Sequence, residues 1–226
     1  MTAALHLNDA QLSPLGAVRA KIARAAALAG RKADAVTLVA IAKTKSAEAI
    51  MPLIEAGQRV FGENRVQEAQ EKWPALIAAH PDIALHCVGQ LQSNKAEDAV
   101  RLFDAIHSLD RASLLTALAR AMDKLGRRVP VFVQVNIGAE AQKGGCLIAQ
   151  VPDLLAQARA ADLPVAGLMC VPPAGIEAAP FFALLGKIAD DNGVSGLSMG
   201  MSDDFETAVM LGATHVRVGS ALFGAR

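Results

Sequence analysis

The chain has 226 residues, 53% of them hydrophobic and 19% charged, and its 22 basic and 22 acidic side chains cancel, giving a sequence pI near 7.0. So balanced a charge sets up no overall field toward nucleic acid or an anionic membrane, and neither partner is expected. No run approaches the roughly 18 apolar residues of a membrane span, and MTAALHLNDA lacks the basic and apolar regions of a signal peptide, so a cytoplasmic location is expected.

The first element predicted is an additional amphipathic helix, PLGAVRAKIARAAALAGRKA (14–33). VTLVAIA (36–42) then reads as a strand buried on both faces, since branched apolar residues in a short run suit a covered sheet. Helix SAEAIMPLIEAG (46–57) leads to strand RVFGE (59–63), and helix NRVQEAQEKWPALIAA (64–79) to strand ALHCVGQL (84–91). SNKAEDAVRLF (93–103), RASLLTALARAMDKLG (111–126), LIAQVPDLLAQARAA (147–161), AAPFFALLGKIADDNG (178–193) and DDFETAVMLGA (203–213) continue the helical series. Between them lie the strands DAIHSLD (104–110), VPVFVQVNI (129–137), VAGLMCV (165–171), GLSMGMS (196–202) and THVRVGSALFG (214–224). About eight strand and helix alternations predict an α/β fold, a (β/α)8 TIM barrel, in preference to an open doubly wound sheet. The rival sheet lacks its usual support, because no G-x-G-x-x-G follows the first strand and no G-x-x-x-x-G-K-[ST] occurs. No linker or composition break divides the chain, so a single domain over 1–226 is expected.

Cys87, Cys146 and Cys170 are odd in number and widely spaced, which suggests small core residues rather than disulfides or zinc ligands. His6, His80, His86, His107 and His215 show no metal-ligand spacing. His86 is either a pocket residue or a hydrogen-bonded strand histidine.

Barrel enzymes collect function at the C-terminal ends of their strands, and it is there that Lys43 and Lys45 interrupt the apolar pattern. Strand alternation points Lys43 the same way as Thr37, Val39 and Ile41, into the barrel. A desolvated lysine loses part of its preference for the ammonium form, and a free amine attacks an aldehyde. Two solvated loop lysines are the plain alternative. In GLSMGMSDD, Ser198, Gly200 and Ser202 share one strand face ahead of a helix start, a pattern that lets backbone N–H groups approach a phosphate. In THVRVGSALFG, Arg217 and Gly219 share a face, and Gly219 with Ser220 offers a second close approach. An inward arginine needs a partner, which a carboxylate, a phosphate or a ring nitrogen would supply. Glu63 and Asn64 after strand 2, and Gln134 and Asn136 on strand 5 with Glu140 and Lys143 beyond it, are assigned to the same pocket. Gln67, Glu68, Glu71 and Lys72 are assigned to a solvated helix surface, where i,i+4 charge pairs are ordinary. An amine opposite a phosphate cradle fits a sugar-phosphate aldolase or pyridoxal 5′-phosphate, and Arg217 favours the latter, because a ring nitrogen is present only there.

LVAIAKTK, FGENRVQE, HCVGQLQSNK, IHSLDR, QVNIGAEAQKGG, GLMCVPP, LSMGMSDDFETAV and THVRVGSALFGAR together resemble the pyridoxal phosphate homeostasis proteins, the YggS/PROSC family, whose fold is similar to the N-terminal barrel of alanine racemase. The likeness covers nearly the whole chain. It implies that Lys43 carries pyridoxal 5′-phosphate (PLP) as an internal aldimine, that Arg217 faces the pyridine nitrogen, and that Ser202, Gly219 and Ser220 hold the phosphate with Ser198 and Asn64 nearby. It also implies that Lys45 and Lys143 are candidates for handing the cofactor on, with PLP-dependent apo-enzymes as recipients. Ala42, Ser46, Arg65 and Ser220 depart from the family pattern without touching the lysine chemistry. Members are regarded as carriers or buffers of PLP with no established turnover. A slow amino acid racemase is the alternative, set against which the chain has no tyrosine to serve as a second base, and its end at Arg226 leaves no room for the racemase's extra domain. A monomer is expected on the same ground.

Overall fold

A computed structural model describes residues 13–224 of the chain; His6 and the outermost residues of the expected 1–226 domain lie outside them. The first helix, α1 (Pro14–Leu28), opens on Ser13, whose hydroxyl accepts the Gly16 N–H at 3.2 Å, with a proline in the first turn where its missing N–H costs nothing. The barrel follows in strict alternation: β1 (Thr37–Ile41), α2 (Ala47–Glu55), β2 (Val60–Glu63), α3 (Val66–Ala79), β3 (Ala84–Cys87), α4 (Ala96–Leu102), β4 (Ala105–Leu109), α5 (Ala112–Leu125), β5 (Val131–Val135), α6 (Val151–Ala160), β6 (Val165–Cys170), α7 (Ala179–Asp191), β7 (Gly196–Ser198), α8 (Phe205–Met210), β8 (His215–Val218) and α9 (Ser220–Phe223). All eight strands are parallel and in sequence order, and β8 closes on β1 with Thr37 opposite His215 and Val39 opposite Arg217.

The expected (β/α)8 barrel with an added N-terminal helix is therefore observed. α1 lies across the closing seam, against α8 and α9, burying Leu15, Val18 and Ile22. The Arg31 guanidinium pins the chain after α1 to the Val209 and Ala213 carbonyls at 2.7 and 2.8 Å.

Alternate strand residues divide the interior. Leu38, Ala40, Phe61, Leu85, Val133, Leu168, Val216 and Val218 join the helix faces in one continuous apolar core. Val39, Ala105, Phe132 and Met169 are equally buried but lie outside that core, on the inner side of the sheet. Burial of the outer layer carries most of the fold's hydrophobic stabilisation, at about 25 cal/mol per Å² of apolar surface.

All eight strands are shorter than the sequence predicts, and at β7 and β8 the shortening changes the site. β7 ends at Ser198 rather than 202, because Gly200 adopts φ +91° and turns the chain, so Ser198, Gly200 and Ser202 do not share one strand face. A Cβ at Gly200 would also lie 2.5 Å from the Ala208 Cβ. β8 ends at Val218, and the segment read as its continuation is the short helix α9. No described helix is long and apolar enough to cross a membrane.

Candidate functional site

The C-terminal ends of β1, β2, β7 and β8 surround a cavity of about 500 Å³ whose walls include Lys43, Lys45, Asn64, Ser202, Arg217, Gly219 and Ser220. Its volume lies in the usual range for small-molecule sites. Lys43 enters from the turn after β1, with Val39 and Ile41 below it on the inner face. Its amine makes no hydrogen bond or ion pair among the described residues. Lys45 also borders the cavity, but its ammonium sits over the Phe223 ring, 5.6 Å from the centroid.

On the opposite wall, the Ser202 hydroxyl accepts from the backbone N–H groups of Gly219 and Ala221 at 3.3 and 3.5 Å. Two amides at a helix start thus converge on one oxygen, an arrangement suited to an anion. Gly219 lines this wall beside Ile41. No strand alternation joins Ser198 to Ser202 along this wall, since β7 ends at Ser198. The turn at Gly200 is what brings Ser202 to Gly219.

Arg217 reaches the cavity from the inner face of β8 while 5% exposed. Its guanidinium donates to the Ser198 hydroxyl at 2.7 Å and to the Cys170 carbonyl at 2.8 Å. Burial lowers its pKa, and Cys170 and Asp204 oppose that shift. Ser198 itself is completely buried beneath the cavity and is not among its lining residues. Behind it the network continues: Ser198 Oγ lies 2.8 Å from His107 Nδ1, and His107 Nε2 lies 3.0 Å from His86 Nδ1. Arginine only donates. With Arg217 donating to the Ser198 hydroxyl, the consistent assignment has Ser198 O–H donating to His107 Nδ1 and His107 Nε2–H donating to His86 Nδ1. Burial lowers the pKa of His86 to about 3 and of His215 to about 4, and holds His107 well below the ordinary value, so all three rings are neutral at pH 7. His86 is thus a hydrogen-bonded strand histidine and does not line the cavity.

Several expected pocket residues belong elsewhere. Glu63 shares the outer face of β2 with Phe61; it is completely buried, accepts from Trp73 Nε1 at 3.0 Å and pairs with Lys72 at 2.7 Å. Desolvation raises its pKa, with Lys72 and Trp73 pulling the other way. Gln134 binds Gln90 at 2.8 Å and the Gly144 carbonyl at 3.2 Å, and Asn136 binds Glu140 and Lys143 backbone oxygens, so both stitch the loop after β5 instead of lining the cavity. Lys143 is tied to Glu140 at 2.6 Å and to the Pro172 carbonyl at 3.0 Å. Cys87, Cys146 and Cys170 are buried and free, their thiols pushed up by burial to about 12, 11 and 12. No group of three or more potential metal ligands occurs among the described residues.

Lys72 and Glu68 are corrections of another kind. They were expected on a solvated helix face, yet the Lys72 side chain is 9% exposed and touches the turn that carries Lys43. The signal was present in the spacing, since Lys72 stands three residues after Ala69 and four before Leu76, both on the buried stripe of α3.

Residues 14–226 match the family model for the alanine racemase N-terminal domain. The chain is 38% identical over 231 residues to the pyridoxal phosphate homeostasis protein of Escherichia coli K12, covering 94% of this chain and 95% of that one. With the protein of the same name from Pseudomonas aeruginosa it shares 39% over 215 residues, 92% and 93% of the two chains. Among solved structures, it is similar to PipY of Synechococcus elongatus with PLP bound, at TM-score 0.79 and 38% identity, covering 90% of this chain and all of that one. Alanine racemase from Corynebacterium glutamicum shares the fold at TM-score 0.64 and 18% identity, with 92% of this chain matching 60% of that one.

Proposed function

The chain belongs to the pyridoxal phosphate homeostasis protein family, built on the alanine racemase N-terminal barrel, and from that premise we propose that it binds PLP covalently and reversibly at Lys43 and carries or buffers the cofactor in the cell. The observation that carries the reading is the meeting, in one cavity, of an unpartnered amine, a wall of converging amides and a buried arginine. When bound, PLP supplies an aldehyde with which a primary amine condenses, losing water, to form a bond that hydrolysis reverses.

The remaining steps belong to the chain's own groups. Gly219 and Ala221 N–H with the Ser202 hydroxyl would hold the phosphate, with Ser220 and Asn64 lining the same cavity. Arg217 would face the pyridine ring of bound PLP and, as a guanidinium that keeps its protons, would offer a ring nitrogen a hydrogen bond without protonating it. Ser198 acts through Arg217, holding the guanidinium in place. Lys45 and Lys143 are the proposed agents of release, and Lys143 must first leave Glu140 and the Pro172 carbonyl. The racemase and aldolase alternatives are not favoured.

We further propose one PLP-binding domain over 1–226, a monomer, a cytoplasmic location and PLP-dependent apo-enzymes as recipients. Three free buried cysteines suit a reducing compartment.

The test is borohydride reduction of the loaded protein followed by peptide mapping. The label is expected on Lys43, and a label on any other lysine, or none, sinks the assignment. A transfer assay to an apo-enzyme, with a trap for free PLP, then separates direct delivery from simple release.

A further inference from the structure

The amine at Lys43 is only as well aimed as the turn that carries it, and that turn closes on one backbone hydrogen bond of its own, from the Lys45 N–H to the Ala42 carbonyl at 3.1 Å. Thr44, the next residue, has φ +61°, a left-handed conformation that a β-branched side chain rarely adopts. Three outside contacts keep it there. Lys72 Nζ, reaching over from α3, donates to the Ala42 carbonyl at 2.8 Å and to the Lys45 carbonyl at 2.9 Å, the two ends of the turn. Its third proton faces buried Glu63 at 2.7 Å, so the ammonium's donors are used in full. In the middle of the turn, the Thr44 N–H donates to Glu68 Oε1, which also lies 3.3 Å from Lys72 Nζ. Lys72 and Glu68 themselves are not among the cavity's lining residues.

We propose that Lys72 is a positioning residue for Lys43: by gathering both ends of the 42–45 turn onto one buried ammonium, with Glu68 holding its centre, it sets the direction from which the Lys43 amine meets the aldehyde of PLP. The proposal rests on the reading that Lys43 takes up that aldehyde. Charge-assisted hydrogen bonds of this kind are about twice as strong as neutral ones, and their loss frees the turn from a conformation it does not favour.

The test compares two ligands on the unmodified protein, Lys72→Met and Glu68→Ala. PLP reports covalent loading through its visible absorption. Pyridoxine 5′-phosphate has the same ring and phosphate but an alcohol in place of the aldehyde, so it reports the cavity alone. For Lys72→Met, the PLP concentration for half-loading is expected to rise by about tenfold or more, with pyridoxine 5′-phosphate affinity unchanged. Amide hydrogen exchange in the cofactor-free protein should quicken at 43–46 and stay slow in β1 and α3. For Glu68→Ala a rise of about threefold is expected. Unchanged PLP loading by Lys72→Met overturns the proposal, and so does an equal loss of both ligands, which would mean that Lys72 merely supports the cavity. Should Lys72→Met fail to fold, because it leaves Glu63 buried without its cation, the decision passes to Glu68→Ala, where unchanged loading and exchange overturn the proposal. Absence of covalent loading in the unmodified protein overturns the function reading and this proposal together, which distinguishes that failure from the others.

Discussion

The outward and inward faces of the barrel sheet are made of different chemistry. Outward, the strands present residues such as Leu38, Ala40, Phe61, Leu85, Val131, Val133, Leu168 and Val216 to the helices, and the face is apolar apart from the Cys87 and Cys170 thiols and Glu63, which meets Lys72 and Trp73. Inward, the same strands present His86, His107, Ser198, His215 and Arg217 around Phe132, whose ring stacks on His107 at 4.4 Å. An aliphatic layer stabilises in proportion to area, so its contribution is spread over many residues. A buried polar cluster has one arrangement in which its donors and acceptors are matched, so each member depends on the others. The outer face therefore makes the barrel, and the inner face is left to hold a cation and its neutral supports in fixed places under the cavity.

The largest effect expected from this division is at Lys43. Lys43→Ala should abolish the visible absorption of loaded protein while changing unfolding free energy by less than about 0.5 kcal/mol. A large loss of stability would break the comparison, because it would make the site residue part of the scaffold. The converse is Phe182→Ala, in the fully buried face of α7. It should cost about 3–5 kcal/mol by denaturant titration and leave PLP affinity of the folded fraction intact.

Acid sharpens the contrast further. The inner histidines are shifted below the ordinary 6.5, to about 3 for His86 and about 4 for His215, with His107 also well below. An unfolded chain takes up protons through pH 6.5 while the folded one does not. Their contribution to stability is therefore complete above that value and declines as pH falls, by up to about 1.4 kcal/mol per pH unit for each histidine. Glu63 and Asp204, whose folded pKa values burial raises, act in the opposite sense. Histidine ring resonances isolate the first effect: His86 and His215 should stay neutral to below about pH 5, and a normal titration of His107 would show that water reaches the inner face. The smallest effect is at the phosphate wall. Ser202→Ala removes one hydroxyl and should weaken PLP by about fivefold, near 1 kcal/mol, measured by loading at fixed pH.

Much of this was legible in the residues. Arg217 lies within β8 and follows from strand period directly, whereas Lys43 stands two residues past the end of β1 and enters the cavity above Ile41 from the turn. The errors arose where alternation was carried past a strand's end. It paired Ser198 with Ser202, which the turn at Gly200 separates, and it extended β8 into what is α9. Glu63 was misassigned for the opposite reason, since the alternation that puts Phe61 outward puts Glu63 outward too. Gln134 and Asn136 are inward, but the loop after β5 folds back onto them and takes up their hydrogen bonds.

The sequence by itself determined the barrel, the lysine and the inward arginine, because periodicity and chain order act over a few residues and repeat eight times. Only the tertiary structure decided which oxygen meets the Gly219 and Ala221 amides, which histidine lies behind Ser198, and that Lys72 holds the turn of Lys43 from thirty residues away. Those contacts join side chains from different strands and helices. Their partners are fixed by where the closed sheet brings the chain back to itself, which no local pattern encodes.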